Sequence, residues 1–167
     1  MIYSDAVQEI LRLAGDGKRV MPLAGSLALD DAVGRLLKKA QAPELFPGAR
    51  HPEAALSGLW LYFSRLDESH EISQNIHSVE GRFWHGIMHR REPDAGNAAY
   101  WFRRVGRHPV FEELAEAAGV ARWDPFAFID QCEEAWRKPG SAMEKDAMEL
   151  QLKEWRLLFA WCARSGA

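Results

Sequence analysis

Residues that favour β-sheet are scarce in this chain, and that scarcity constrains the fold more than any motif does. The sequence contains 24 alanines and 17 leucines, against 13 isoleucines and valines together and no threonine. Alanine and leucine lose little on entering a helix, whereas β-branched side chains are those that pack well on a pleated sheet. We therefore predict an all-α protein.

Capping residues and breaks divide the chain into about seven or eight expected helices. A length of 167 residues suits one hydrophobic core, so we expect a single-domain helical bundle over residues 1–167. The segment after His51 is apolar almost all round, which predicts a central buried helix, and Ser141 is expected to cap a long C-terminal helix. Ser26 is a candidate cap for a second helix, and the stretch with Pro43 is expected to be a loop.

The overall composition argues against several classes of protein. A net charge of -3 and a pI near 6.1 do not suit a globally basic binder of nucleic acid or acidic membranes. Cys132 and Cys162 are too few for a disulfide framework and form no Cys-x-x-Cys motif. The sequence also contains no signal-peptide pattern and no apolar stretch long enough for a bilayer. We expect a cytoplasmic protein with no membrane partner.

Positive charge is concentrated between His77 and His108. This window contains six arginines, no lysine and three acidic residues, a formal charge of +3, so the rest of the chain carries -6. The same window contains four of the six histidines and five aromatic residues. A planar guanidinium binds phosphate or carboxylate through two N–H groups and also stacks on rings. We therefore expect the functional site here.

The charged window is predicted to form a polar antiparallel helical hairpin around residues 80–106. Its helices are expected at 81–91 and 95–105, and the short Glu92-Pro93-Asp94 connection makes them neighbours. Helical periodicity places several functional side chains on one face of each helix. These are Arg82, His85, His89 and Glu92 on the first helix, and Asn97, Trp101 and Arg104 on the second, with His108 continuing that line.

One interpretation of the hairpin is a cleft that binds a small anionic molecule and turns it over by hydrolysis. Arginine would hold a phosphate or carboxylate group, while aromatic rings would form a stacking wall. Positive charge near His85 and His89 would lower their pKa values and suit them to general-base catalysis. The predicted ligand-binding residues are His77, Arg82, Trp84, Asn97, Tyr100, Trp101, Arg104 and His108.

A second interpretation is a metal-dependent hydrolase. His85, His89 and Glu92 would bind a divalent metal ion, since two imidazoles four residues apart on a helix can share one ion. The zincin His-Glu-x-x-His motif is absent, however, because no glutamate follows His85. Pro93 is also expected to push Glu92 out of helical geometry.

A third interpretation is a helical module without catalysis. The arginines would then pair with acidic residues in a buried ion-pair network, and some of the seven tryptophans would contact a protein partner or a second copy in a homo-oligomer. The segment 67–79 is equally compatible with a helix, in which His70 and His77 share a face, and with an ordered loop over the hairpin.

Overall fold

The computed structural model describes residues 3–25 and 31–166, and these residues form a bundle of ten α-helices. Only one isolated β-bridge, between Ala49 and Ser165, occurs within these ranges. The all-α prediction is confirmed, although the helices outnumber the expected seven or eight. They are α1 (Asp5–Arg12), α2 (Asp31–Lys39), α3 (Ala42–Leu45), α4 (Pro52–Tyr62), α5 (Leu66–Ser73), α6 (Val79–Arg91), α7 (Ala95–Val105), α8 (Val110–Ala118), α9 (Pro125–Trp136) and α10 (Ala142–Ala163).

Helix starts follow the local capping chemistry. Ser78 and Ser141 accept backbone N–H bonds at the starts of α6 and α10, as N-cap hydroxyls do. The proposed cap at Ser26 lies outside the described residues. The loop predicted around Pro43 is wrong, because this proline lies in the first turn of α3, where a missing N–H leaves no hydrogen bond unmade.

Two helices form the centre of the bundle. In α4 every residue from Ala54 to Tyr62 is buried, which confirms the predicted central helix. Helix α6 is buried as well: from Glu80 to Arg91 only Arg82 is partly exposed. The polar side chains of the predicted hairpin therefore face other helices, and not solvent, along most of α6.

Close packing fixes the arrangement of the central helices. Helices α6 and α7 form the predicted hairpin, and a Cβ at Gly86 would lie 2.9 Å from the ring of Phe102, so only glycine fits this contact unstrained. The long helix α10 packs on α4, where Trp155 Nε1 donates to the carbonyl oxygen of Gly58 at 2.7 Å. No helix in residues 3–25 and 31–166 combines the length and hydropathy needed to cross a bilayer.

The segment that sequence left undecided begins as a helix. Residues 66–73 form α5, which packs against α4 and α6, and a short loop leads into α6. Ser69 and Ser73 are buried in α5, where the Ser69 hydroxyl bonds with Ser57 Oγ at 3.0 Å. Burial of these hydroxyls with partners offsets their weak helix propensity. The result is that His70 lies beside α6.

Candidate metal centre

Three histidines converge where α5 packs on α6. His85 and His89 lie one turn apart on α6, and His70 comes from α5. One ring nitrogen from each residue lies within 4.8 Å of the others. The ring centroids are 4.8 Å apart for His70 and His85, 5.4 Å for His70 and His89, and 4.8 Å for His85 and His89. Two neighbouring helices thus present three potential metal ligands to one point.

The environment of His85 keeps its ring neutral. Its burial, together with the nearby His89 and His70, lowers the pKa of His85 to about 3. Its Nδ1 is buried without a hydrogen-bond partner in the described parts of the chain. The other buried nitrogens without partners there belong to arginine and tryptophan, which can only donate. His85 alone among them has a nitrogen with a lone pair that a metal ion could take up.

The ring of His89 is oriented by a carboxylate. His89 Nδ1 donates to Glu92 Oε2 at 2.7 Å, which leaves the lone pair on Nε2. A carboxylate behind an imidazole is the usual outer partner of a metal-binding histidine. Glu92 keeps helical angles of φ -61° and ψ -33°, so the expected displacement by Pro93 is wrong.

The acidic residues after α6 have partners of their own. Asp94 joins His89 and Glu92 in a second group of potential ligands within 4.8 Å. Both Asp94 oxygens, however, accept bonds from Asn97, one from its backbone N–H and one from its side-chain amide. Two groups of potential ligands therefore share His89: one adds His70 and His85, and the other adds the predicted Glu92 together with Asp94.

Trp101 covers one side of the histidine cluster. Its indole lies parallel to the His85 ring, with centroids 4.0 Å apart and planes 16° apart. Trp101 and His70 are partly exposed, whereas His85 and His89 are buried. Solvent therefore reaches the cluster at His70 and Trp101, on its α5 and α7 sides.

The cluster suits a tetrahedral transition-metal ion. Zinc binds imidazole nitrogens at about 2.0–2.1 Å, which places ligand nitrogens roughly 3.3 Å apart. The ring nitrogens of the three histidines lie within 4.8 Å of one another, so the rings would have to draw closer together around an ion. Three protein ligands leave a fourth position for water or substrate, the arrangement found in catalytic zinc sites.

Two of the predicted ligand-binding residues are core residues instead. Trp84 is fully buried, and its ring lies against Gly58, where a Cβ would be 2.5 Å away. His108 is also buried, with Nε2 3.4 Å from Glu80 Oε1. Trp84 therefore cannot contact a ligand at the surface, whereas His108 lines a cavity of about 690 Å³ beside α8. His77 is exposed in the loop between α5 and α6.

The remaining predicted residues lie along α6 and α7 beside the cluster. Arg104 stacks on the Tyr100 ring, with the guanidinium carbon 3.4 Å from the ring centroid. Arg82 donates to the Arg104 carbonyl oxygen at 3.5 Å, and Asn97 bonds to Asp94. These residues are at least partly exposed, so they remain candidates for ligand contacts.

Two arginines of the charged window have structural roles. Arg90 is buried against Glu154, with Nη2 2.6 Å from Oε2, and it also donates to Gln151. Arg91 is buried with no carboxylate partner in residues 3–25 and 31–166, and it donates to the Pro22 and Leu61 carbonyl oxygens and to Ser64. The predicted ion-pair network therefore exists at Arg90, but on the side of α6 away from the histidines.

Sequence reasoning placed His85 and His89 in the site but not His70. The sequence feature that points to His70 is the helical face it would share with His77. The serines nearby have weak helix propensity and so argue against a helix there. Neither family models, nor curated proteins, nor solved structures match this chain. The chemical assignment of the site therefore rests on its own geometry.

Proposed function

We propose that this chain binds one divalent transition-metal ion through His70, His85 and His89 and uses it to hydrolyse a small substrate. The convergence of three imidazoles on one point, with one of them held by Glu92, carries the proposal. Such an ion polarises a substrate oxygen and makes water acidic enough to attack near neutral pH. Zinc suits the ligand set, as do other ions that prefer imidazole.

The surrounding residues have distinct parts in the proposed site. Glu92 fixes the orientation and tautomer of His89 and increases its basicity. Trp101 holds the His85 ring against rotation and excludes water from one side. A small substrate would approach the centre past the partly exposed His70 and Trp101, and water would add across the bond that breaks.

The buried nitrogen of His85 favours a metal over a purely structural cluster. A buried polar atom without a hydrogen bond costs about 1–3 kcal/mol. If the cluster were purely structural, nothing among the described residues would offset this cost, whereas a metal bond to His85 Nδ1 would offset it.

Metal loading of the purified protein tests the proposal. After chelation, zinc, cobalt and nickel are titrated separately, and bound metal is measured by elemental analysis and native mass spectrometry. We expect one ion per chain, together with metal-dependent hydrolysis of at least one substrate in an ester and phosphoester panel. His85→Ala should lose both, while His77→Ala, a control at an exposed histidine, should retain them. Absence of metal uptake by the wild-type protein would contradict the proposal.

We also propose two properties that the sequence predicts, a cytoplasmic location and self-association. A cytoplasmic location is tested by cell fractionation. Self-association into a homo-oligomer is tested by light scattering over a concentration series, where a constant monomer mass would contradict it.

A further inference from the structure

Two arginines lie together beside the histidine cluster, with Arg82 Nη1 3.5 Å from the carbonyl oxygen of Arg104. Arg82 precedes His85 by one turn of α6, and Arg104 follows Trp101 by one turn of α7. We call this pair the arginine edge. Arg82 is partly exposed and Arg104 is exposed. Because one helical turn rises about 5.4 Å, the edge lies within the length of a small molecule from the cluster.

No residue of the arginine edge forms an ion pair with a carboxylate in the parts of the chain that the structure describes. The acidic residues of the same window are engaged elsewhere. Glu80 accepts from Trp161 and lies beside His108, Glu92 accepts from His89, and Asp94 accepts from Asn97. Among the described residues, no carboxylate therefore pairs with the positive charge of the arginine edge.

The two arginines nearest the cluster are held in place. Arg82 uses Nη1 for the carbonyl oxygen of Arg104, at 3.5 Å, which leaves its Nε and Nη2 without a partner among the described residues. Arg104 lies flat on Tyr100 and donates from Nη1 to the Tyr100 carbonyl oxygen at 3.1 Å. Guanidinium groups restrained in this way lose less rotational freedom when they bind an anion.

We propose that the ligand of the centre is a small molecule with a phosphate or carboxylate group, which lies between the metal ion and Arg82 and has Arg104 as a second contact. The inference rests on the proposed function, because it names the substrate class of that site. An anion there would neutralise both the arginine edge and the ion. It would also make charge-assisted hydrogen bonds to the free N–H groups of Arg82.

The proposal separates ligands by charge. A substrate with an anionic group one turn away from the reacting bond is held at both ends, so the reacting atoms stay near the ion. A neutral ester of the same size lacks the contact with Arg82. Anionic substrates are therefore preferred over neutral ones, and that preference disappears when Arg82 is replaced.

Calorimetric titration of the zinc-loaded full chain tests the inference, with inorganic phosphate and acetate as separate probes. We expect at least one of the two to bind, and which one binds identifies the anionic group. Arg82→Gln should weaken that binding about tenfold or more, and Arg82→Lys should restore part of it. Arg137→Gln is the control, because Arg137 is an exposed arginine at the C-cap of α9 and is not part of the arginine edge. It should leave the affinity unchanged.

Zinc uptake by Arg82→Gln separates the two proposals and also reports on folding. The variant should take up one ion per chain as the wild type does. An unchanged anion affinity in that zinc-loaded variant, or no binding of either probe to the zinc-loaded wild type, would overturn the inference while leaving the metal centre intact. Equal binding of the anion by metal-free protein would also overturn it, since ion and arginine would then not share one ligand. Failure of the wild type to take up zinc would overturn the proposed function and the inference together.

Discussion

The polar residues on the two sides of helix α6 have different bonding partners. On one side, Arg90 and Arg91 are buried against a carboxylate, an amide and backbone carbonyl oxygens contributed by other segments. On the other side, His85 and His89 face a third histidine, and a buried nitrogen of His85 has no partner among the described residues. Arg90 Nε is also buried without a partner among the described residues, but a guanidinium nitrogen can only donate, whereas a neutral imidazole also carries a lone pair. The two sides therefore differ in chemistry: the arginine side is held by acceptors within the protein, and the histidine side offers lone pairs to a ligand.

The largest expected effect is on the free energy of unfolding, and it concerns the buried ion pair of Arg90 and Glu154. Glu154→Ala would leave the charge of Arg90 buried without its carboxylate, since both side chains are about 1% exposed. Breaking such a pair destabilises a protein by about 3–5 kcal/mol, which urea unfolding measures. The exposed pair of Lys138 and Glu134 offers the control, and Glu134→Ala should leave the urea midpoint unchanged. Equal effects of the two changes would remove the contrast between the sides of α6.

The next effect concerns the histidine side and depends on metal. At free zinc about 100 times the dissociation constant, the wild type should gain about 2.7 kcal/mol of unfolding free energy. His85→Ala should lose this gain, yet its metal-free stability should stay within about 1 kcal/mol of wild type, since the buried unbonded nitrogen is removed with the ring. Arg104→Ala should likewise leave metal-free stability unchanged. Strong unfolding of metal-free His85→Ala would show that the cluster is structural.

The carboxylate of Glu92 should strengthen metal binding through His89 without binding the ion itself. Glu92→Gln keeps a hydrogen-bond acceptor for His89 but removes the negative charge. Loss of an outer partner of this kind weakens metal affinity about 10–100-fold, which competition with a fluorescent chelator measures. Glu71→Gln, at an exposed glutamate of α5, is the control. Complete loss of metal in Glu92→Gln would instead identify Glu92 as a direct ligand.

The smallest expected effect is on the pH dependence of the unfolding free energy, and it concerns Glu80 at the start of α6. Burial alone would raise the pKa of Glu80, but donors from His108, its own backbone and Trp161, with His51 nearby, outweigh burial and hold the pKa at about 2. Since this is below the ordinary value of 4.5, Glu80 stabilises the fold above that pH and loses its contribution as the pH falls toward 2. Between pH 5 and pH 3.5 the loss should be about 1 kcal/mol.

Comparison with Glu80→Gln isolates that contribution. The unfolding free energy is measured with urea at each pH. Glu80→Gln should not show the loss of about 1 kcal/mol between pH 5 and pH 3.5 that the wild type shows. Parallel curves for the two proteins over that interval would show that Glu80 is not held in its charged form.

Local sequence signals predicted the helices and the hairpin because capping, periodicity and short connections act within a few residues. The same signals placed His85 and His89 on one face. They could not separate Arg90 and Arg91 from the other arginines of the window, since the partners that bury them, such as Glu154 and Leu61, lie far away along the chain. His70 was missed for a related reason: whether Ser69 permits a helix depends on Ser57, which supplies its partner from α4.

X-ray absorption spectroscopy of the zinc-loaded protein tests the central claim most directly, because it reports the atoms bound to the ion. We predict a first shell with three imidazole nitrogens at about 2.0–2.1 Å and one further light atom. His70→Ala should change that shell by one nitrogen or abolish zinc binding. A first shell made mainly of oxygen atoms, or a spectrum unchanged by His70→Ala, would contradict the three-histidine centre.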